Sequence, residues 1–196
     1  MKFDEINRLR DYFSKMRISE EDKEKRVSLG KVLYDTFSYI LNLMYVDALI
    51  NEDLDRDFYI NATMGHLIDA LEENGTPYDE GSLQKIVDSV IDTTIDHYSE
   101  EEYFSDERAL STAQDTTNTV QNNADFQEAK RQGKKHKVWY SMEDNATRRW
   151  HLEQDNVRKK IDDYFVVDGE MMRFPMDNEN ATAKNLAWCR CSCHYE

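Results

Sequence analysis

The chain has 196 residues, 39% of them hydrophobic and 11% aromatic, enough for one large or two small domains and too apolar for a wholly disordered polymer. Its formal charge of −15 is uneven: residues 1–127 carry 12 Lys/Arg against 28 Asp/Glu, whereas residues 128–196 carry 13 against 12. The acidic part repels duplex phosphates, no apolar run reaches the roughly 20 residues that span a bilayer, and six glycines with two prolines are few for a turn-rich β architecture.

The composition therefore predicts long helices, and with the strand patterns of the C-terminal part an α+β chain. A mostly helical region covers residues 1–104, a connecting helix covers 105–133, and a small α+β module covers 134–196. Phe3, Ile6, Leu9 and Phe13 fall at helical spacing and predict a short first helix. Leu29, Leu33, Phe37, Ile40, Met44 and Ile50, broadened by Val32, Leu41 and Leu43, predict a long core helix capped at Ser19 or Ser28. Core packing is favoured over a partner-binding face for this stripe. Ile60, Met64, Leu67, Ile68 and Leu71 give a third helix, stopped by Asn74-Gly75-Thr76-Pro77. Leu83, Ile86, Val87, Val90, Ile91, Ile95 and Tyr98 give a fourth, with Ser82 as its expected cap. His66 and His97 read as partly buried residues at the edge of this core.

From Ser105 the chain turns polar. Ala109, Leu110, Ala113, Val120, Ala124 and Phe126 leave a weak helical face, and Thr116-Thr117-Asn118-Thr119 is poor in helix formers. The basic run from Lys130 to Lys137 offers Lys134, Lys135 and Lys137 as contacts for phosphate, although such runs are more often solvated linkers. Beyond it, Val138-Trp139-Tyr140 predicts a strand and Glu143 to Glu153 a helix. Tyr164 to Phe174, turning at Asp168-Gly169, predicts a hairpin, and Ala181 to Ala187 a short helix.

The chemistry concentrates at the C-terminal end. All three cysteines, Cys189, Cys191 and Cys193, lie within five positions and are followed by His194. With His151 they could supply the four N/S ligands of a tetrahedral zinc ion, and a strand over 189–193 would place the three sulfurs on one face. The competing reading makes Cys189 and Cys191 small buried hydrophobes and has His151 bonded to a buried carboxylate. His151 and Asp155, four apart, are expected on one helix face, and Arg148 and Asp177 are expected to pair. An acid/base pair of His151 with Asp144, Asp155 or Asp177 is conceivable, but no activated nucleophile or oxyanion-hole pattern accompanies it. Walker, Rossmann and nucleophile-elbow motifs are missing from the sequence.

In order, Lys137 and Trp139, Asp144, Thr147-Arg148-Arg149-Trp150-His151, Asp155, Phe165, Pro175-Met176-Asp177 and Cys189-Arg190-Cys191 resemble the signature of the Mu F-like phage head morphogenesis family. Three positions depart from it. Asn156 and Met176 stand where the family usually has Gly, and Trp188 stands where it has Asn; these departures bear on loop geometry. Ala113-Gln114-Asp115-Thr116 replaces a common Ala-Arg-Thr-Glu.

The resemblance implies a non-enzymatic minor head protein that works in capsid assembly near the portal. Its implied partners are the portal protein, other capsid or scaffold proteins and packaged DNA, with no membrane. Its implied location is the virion, with the host cytoplasm as the place of assembly. The acidic N-terminal residues, which lack a signal-peptide core, and the reduced state expected of three clustered cysteines agree with synthesis in the cytoplasm. The alternative of a different class is a metal-dependent or ADP-ribosyltransferase-like enzyme built on the His/Asp/Cys cluster.

Overall fold

The computed structural model describes residues 3–51, 54–142 and 144–196, without the side chains of Phe3 and Asn51. Phe3 in the first stripe and Glu143 at the head of an expected helix therefore lie outside the described side chains and residues, respectively.

Four helices lead the chain: α1 (Phe3–Ser14), α2 (Glu20–Asn51), α3 (Arg56–Glu73) and α4 (Glu80–Asp96). A 3-10 turn (Glu101–Phe104) then leads into α5 (Asp106–Arg131). Ser19 caps α2, its hydroxyl accepting from the Asp22 N–H at 3.1 Å, so Ser28 has no part in the start of that helix. The α3 stop falls as expected, with Asn74 at the cap and Gly75 at a φ of 65°. The α4 cap is Asp79 rather than Ser82: its carboxylate accepts from the Ser82 N–H at 2.7 Å. That leaves the Ser82 hydroxyl free to donate to Asn178 of the module at 2.7 Å.

Leu9 and Phe13 of α1, Leu29, Leu33, Phe37, Ile40 and Met44 of α2, Leu67 and Leu71 of α3, and Leu83, Val87 and Ile91 of α4 form one core. Each such side chain contributes on the order of 1.5–3 kcal/mol by leaving water. Gly30 lets the helices close up, since a Cβ there would meet Leu9 Cδ2 at 3.0 Å and Thr117 Oγ1 at 3.4 Å. Ile50, expected in this core, is instead 70% exposed. The core stripe ends near Met44, and Tyr39, Val46 and Ile50 turn outward with half-buried Leu43 between them. His66 is likewise exposed and sits edge-on to Tyr39, while His97 is half-buried.

Helix α5 belongs to both halves of the molecule. Ala109, Leu110 and Ala113 join the helical core, whereas Phe126 and Ala129 pack with Ile161 and Phe174 of the module. The module has a three-stranded antiparallel sheet of order β2-β1-β5 (β1 His136–Tyr140, β2 Arg158–Lys160, β5 Ser192–Tyr195). A separate hairpin of β3 (Phe165–Val167) and β4 (Glu170–Met172) turns at Asp168-Gly169, as the sequence predicts. Two single-turn helices, α6 (Arg149–Leu152) and α7 (Ala183–Leu186), complete it.

The expected helix over 143–153 is thus reduced to one turn. The Asp144 carboxylate accepts from the Ala146 N–H and the Thr147 hydroxyl, holding a turn in place of the first helical bonds. Arg148 is extended, and Asn156 at a φ of 60° ends the segment. Nor do residues 189–193 form one strand, because β5 begins only at Ser192.

Candidate functional site: a buried histidine and two cysteines held by alpha5

Strand β1 carries Lys137 and Trp139 inward, both fully buried. The Lys137 ammonium donates to the Ile161 carbonyl at 2.8 Å and lies over the rings of Phe126 and Phe165 at 5.2 and 5.4 Å. Burial lowers it to about 8. Lys137 therefore drops out of the expected phosphate-binding set. Lys134 and Lys135 remain on the surface, where Lys130 and Lys160 share their shallow concavity.

Trp139 meets His151 edge-to-face at 5.8 Å. The His151 ring is 1% exposed and faces three partners. Its Nε2 lies 3.1 Å from Asn185 Oδ1, and its Nδ1 lies 3.5 Å from the sulfurs of both Cys189 and Cys191. Asn185 Nδ2 donates to the Val167 carbonyl and to Glu170, which fixes Oδ1 as the acceptor toward the ring. In the neutral ring Nε2 then carries the hydrogen, and the Nδ1 lone pair faces the two sulfurs. Donation from the Cys191 thiol holds Cys189 well below its ordinary value, and Cys189 together with burial pushes Cys191 well above it.

Of the five ligands read from the sequence, the structure gathers His151, Cys189 and Cys191 and leaves two apart. Cys193 faces Lys137 and Tyr195, and burial pushes its thiol up to about 12. His194 is exposed and stacks on Tyr140.

The loop that carries the two cysteines is held from α5. Asn118 Nδ2 donates to the Cys189 carbonyl at 2.6 Å, and Asn122 Nδ2 donates to the carbonyls of Pro175 and Cys191 at 3.0 and 3.1 Å. Arg26 of α2, 1% exposed, donates in turn to the side-chain oxygens of Asn118, Asn122 and Asp125. The polar stretch that weakened the sequence reading of α5 is thus its most buried part, with Thr116 to Val120 all inside. Asp115 accepts the Trp188 backbone N–H at 3.0 Å, and burial raises its carboxyl to about 7.

Several expected pairings are replaced. Asp177, wholly buried, binds Arg173 at 2.7 Å, whereas Arg148 donates to the Ala187 carbonyl. Asp144 binds Arg190, and Asp155 binds Arg17 and the Ser141 N–H. His151 and Asp155 do not share a helix face, since α6 ends at Leu152. The buried histidine meets an amide oxygen rather than a carboxylate, and none of the three aspartates considered as its acid/base partner is bonded to it. Arg26, Asn118, Asn122, Arg173 and Asn185 were missed. Only Asn118 carried a signal, as part of a stretch poor in helix formers.

Asn156, Met176 and Trp188, the three positions that depart from the resembled signature, have φ of 60°, 67° and 54°. Gly and Asn are the residues that occupy this left-handed region at least cost. The backbone keeps the shape that Gly or Asn would favour.

Residues 67–194 match the family model described as Phage Mu protein F like protein. The match takes in the C-terminal residues that carried the resemblance and extends back through α5 and α4 into α3, covering most of the chain. No curated protein and no solved structure matches the chain.

Proposed function

The chain belongs to the phage Mu protein F-like family, and on that premise we propose that it is a minor head protein acting by binding during head morphogenesis. The observation that carries this reading is the extent of the match, which includes the C-terminal module up to His194 and the helix that holds it. The module's polar residues support a non-enzymatic role. His151, Asp144, Asp155 and Asp177 are each bonded into separate structural contacts rather than converging on an open site.

In this reading the portal and other capsid or scaffold proteins are the partners. Assembly takes place in the host cytoplasm, and the virion is the destination. The outward stripe of α2, with Tyr39 56%, Val46 50% and Ile50 70% exposed at helical spacing, is the docking face, and Phe58 at the start of α3 (52%) extends it. Lys134, Lys135 and Lys160 form the patch that meets packaged DNA. Among the described residues no helix is long and apolar enough to cross a membrane.

Co-expression with the portal protein of the same phage tests the reading. The chain should co-sediment with portal rings, and a Val46→Glu, Ile50→Glu variant should fold yet lose that association at least tenfold. A folded wild-type chain that ignores the portal, or a folded variant that still co-sediments with it, would overturn it.

A further inference from the structure

We propose that the module binds one zinc-class divalent ion through His151 Nδ1 and the sulfurs of Cys189 and Cys191, joining α6 to the loop that precedes β5. The three donor atoms all lie within 4.8 Å of one another and are all buried. Zinc–sulfur and zinc–nitrogen bonds of about 2.3 and 2.05 Å meeting at the tetrahedral angle separate N from S by about 3.5 Å. Both Nδ1–Sγ distances are 3.5 Å. The donors therefore already stand at two edges of such a tetrahedron.

The surroundings are those of a ligand set. A metal-bound histidine donates its other ring N–H to a fixed acceptor, and Asn185 Oδ1 is that acceptor here. The loop is anchored through the carbonyls of Cys189 and Cys191, so its sulfurs are held toward the ring by Asn118 and Asn122. Trp139 adds an independent sign. Its buried indole N–H has no hydrogen-bond partner among the described residues, and the ring packs in the same cluster as Cys191. An ionised sulfur is a stronger acceptor than a thiol and would satisfy that donor.

The charge balance suits burial. The ion enters as M2+, the two thiols release two protons to solvent, and His151 binds through its lone pair, leaving the three-ligand centre neutral. Soft sulfur with imidazole selects zinc-like ions over magnesium or calcium. No further His, Cys or carboxylate joins the cluster among the described residues, so these three supply the protein ligands. Buried as it is, the ion would act as a staple.

The full chain, purified reduced, is loaded with Zn2+ or Co2+, dialysed, and assayed for metal, for the visible spectrum of the cobalt form and for thiol alkylation. The proposal expects one ion per chain, a tetrahedral cobalt spectrum with thiolate-to-cobalt charge transfer, and two of three thiols protected until a chelator is added. Cys193→Ser should keep the ion and Cys191→Ser should lose it. Asn185→Ala, a positioning change, should weaken affinity about 10–100-fold. Should Cys191→Ser fail to fold, thiol protection in the wild type still decides. Less than a tenth of an equivalent in the reduced wild type, metal retained by folded Cys191→Ser, or equal alkylation of all three thiols with and without chelator would each overturn the proposal.

Discussion

The helical region and the C-terminal module are held together by different physics. The first buries a continuous apolar core shared by α1 to α5. The second has two small apolar clusters, one of Trp139, Phe165, Val167, Met172, Met176, Cys189 and Cys191 and one in which Ile161 and Phe174 meet Phe126 and Ala129 of α5. A unit that small gains little from burial alone and needs other fastenings. It gets them from hydrogen bonds to specific carbonyls, from the Asp177–Arg173 pair and from the His151 cluster. Helix α5 serves both regimes, apolar at its start and amide-rich where it meets the cysteine loop. The comparison teaches that polar residues in the family signature can be conspicuous because a small module depends on them for shape.

Substitutions at four positions would break or sharpen this contrast. Phe37→Ala should destabilise the chain by about 3–5 kcal/mol in denaturant titration, as large truncations in a closed core do. Its effect should be independent of pH and of metal. Asn122→Ala should cost about 3 kcal/mol, because it orphans two buried carbonyls and removes a partner of buried Arg26. Asn122→Leu, similar in volume but without the amide, should be no better. If it were neutral, the polar fastening would be dispensable.

Lys137 gives a pH signature. Its folded value, lowered to about 8 from 10.5, means the unfolded chain binds more protons between those values. Stability therefore rises with pH across that window in the wild type, and a Lys137→Met variant lacks this increment. The difference between the two should grow in the wild type's favour by on the order of 2 kcal/mol from pH 8 to 10.5. A flat difference would mean the ammonium is not buried. Smallest is Trp188→Asn, exposed and at a φ of 54°, which should stabilise by about 0.5–1 kcal/mol by relieving a left-handed backbone.

What could be read in the sequence follows the same divide. The stripes of α2, α3 and α4 and the β3–β4 hairpin were legible because burial writes itself at spacings of 3.6 and 2. Ile50 misled because the periodicity outlasts the contact, running on where α2 leaves its neighbours. The order from Lys137 to Cys191 identified the family, yet it did not say what each residue touches. Arg148 and Asp177 are a plausible pair by charge, but Arg173 lies four residues from Asp177 and makes the shorter connection. Thr116 to Thr119 looked like a weak helix because propensity scores a residue against solvent. There Asn118 answers to the Cys189 carbonyl, 71 positions away, while Thr119 bonds back to Asp115 of its own helix. The left-handed positions were legible only as departures, which pointed to loop geometry without giving its sign.

Native-state hydrogen exchange on the wild type and Asn122→Ala tests the central claim most directly. If the module is fastened by the polar contacts of α5, protection should fall by at least tenfold within residues 136–196 and the facing segment of α5, while α2, α3 and α4 keep theirs. An equal loss of protection in both regions, or none in the module, would contradict it.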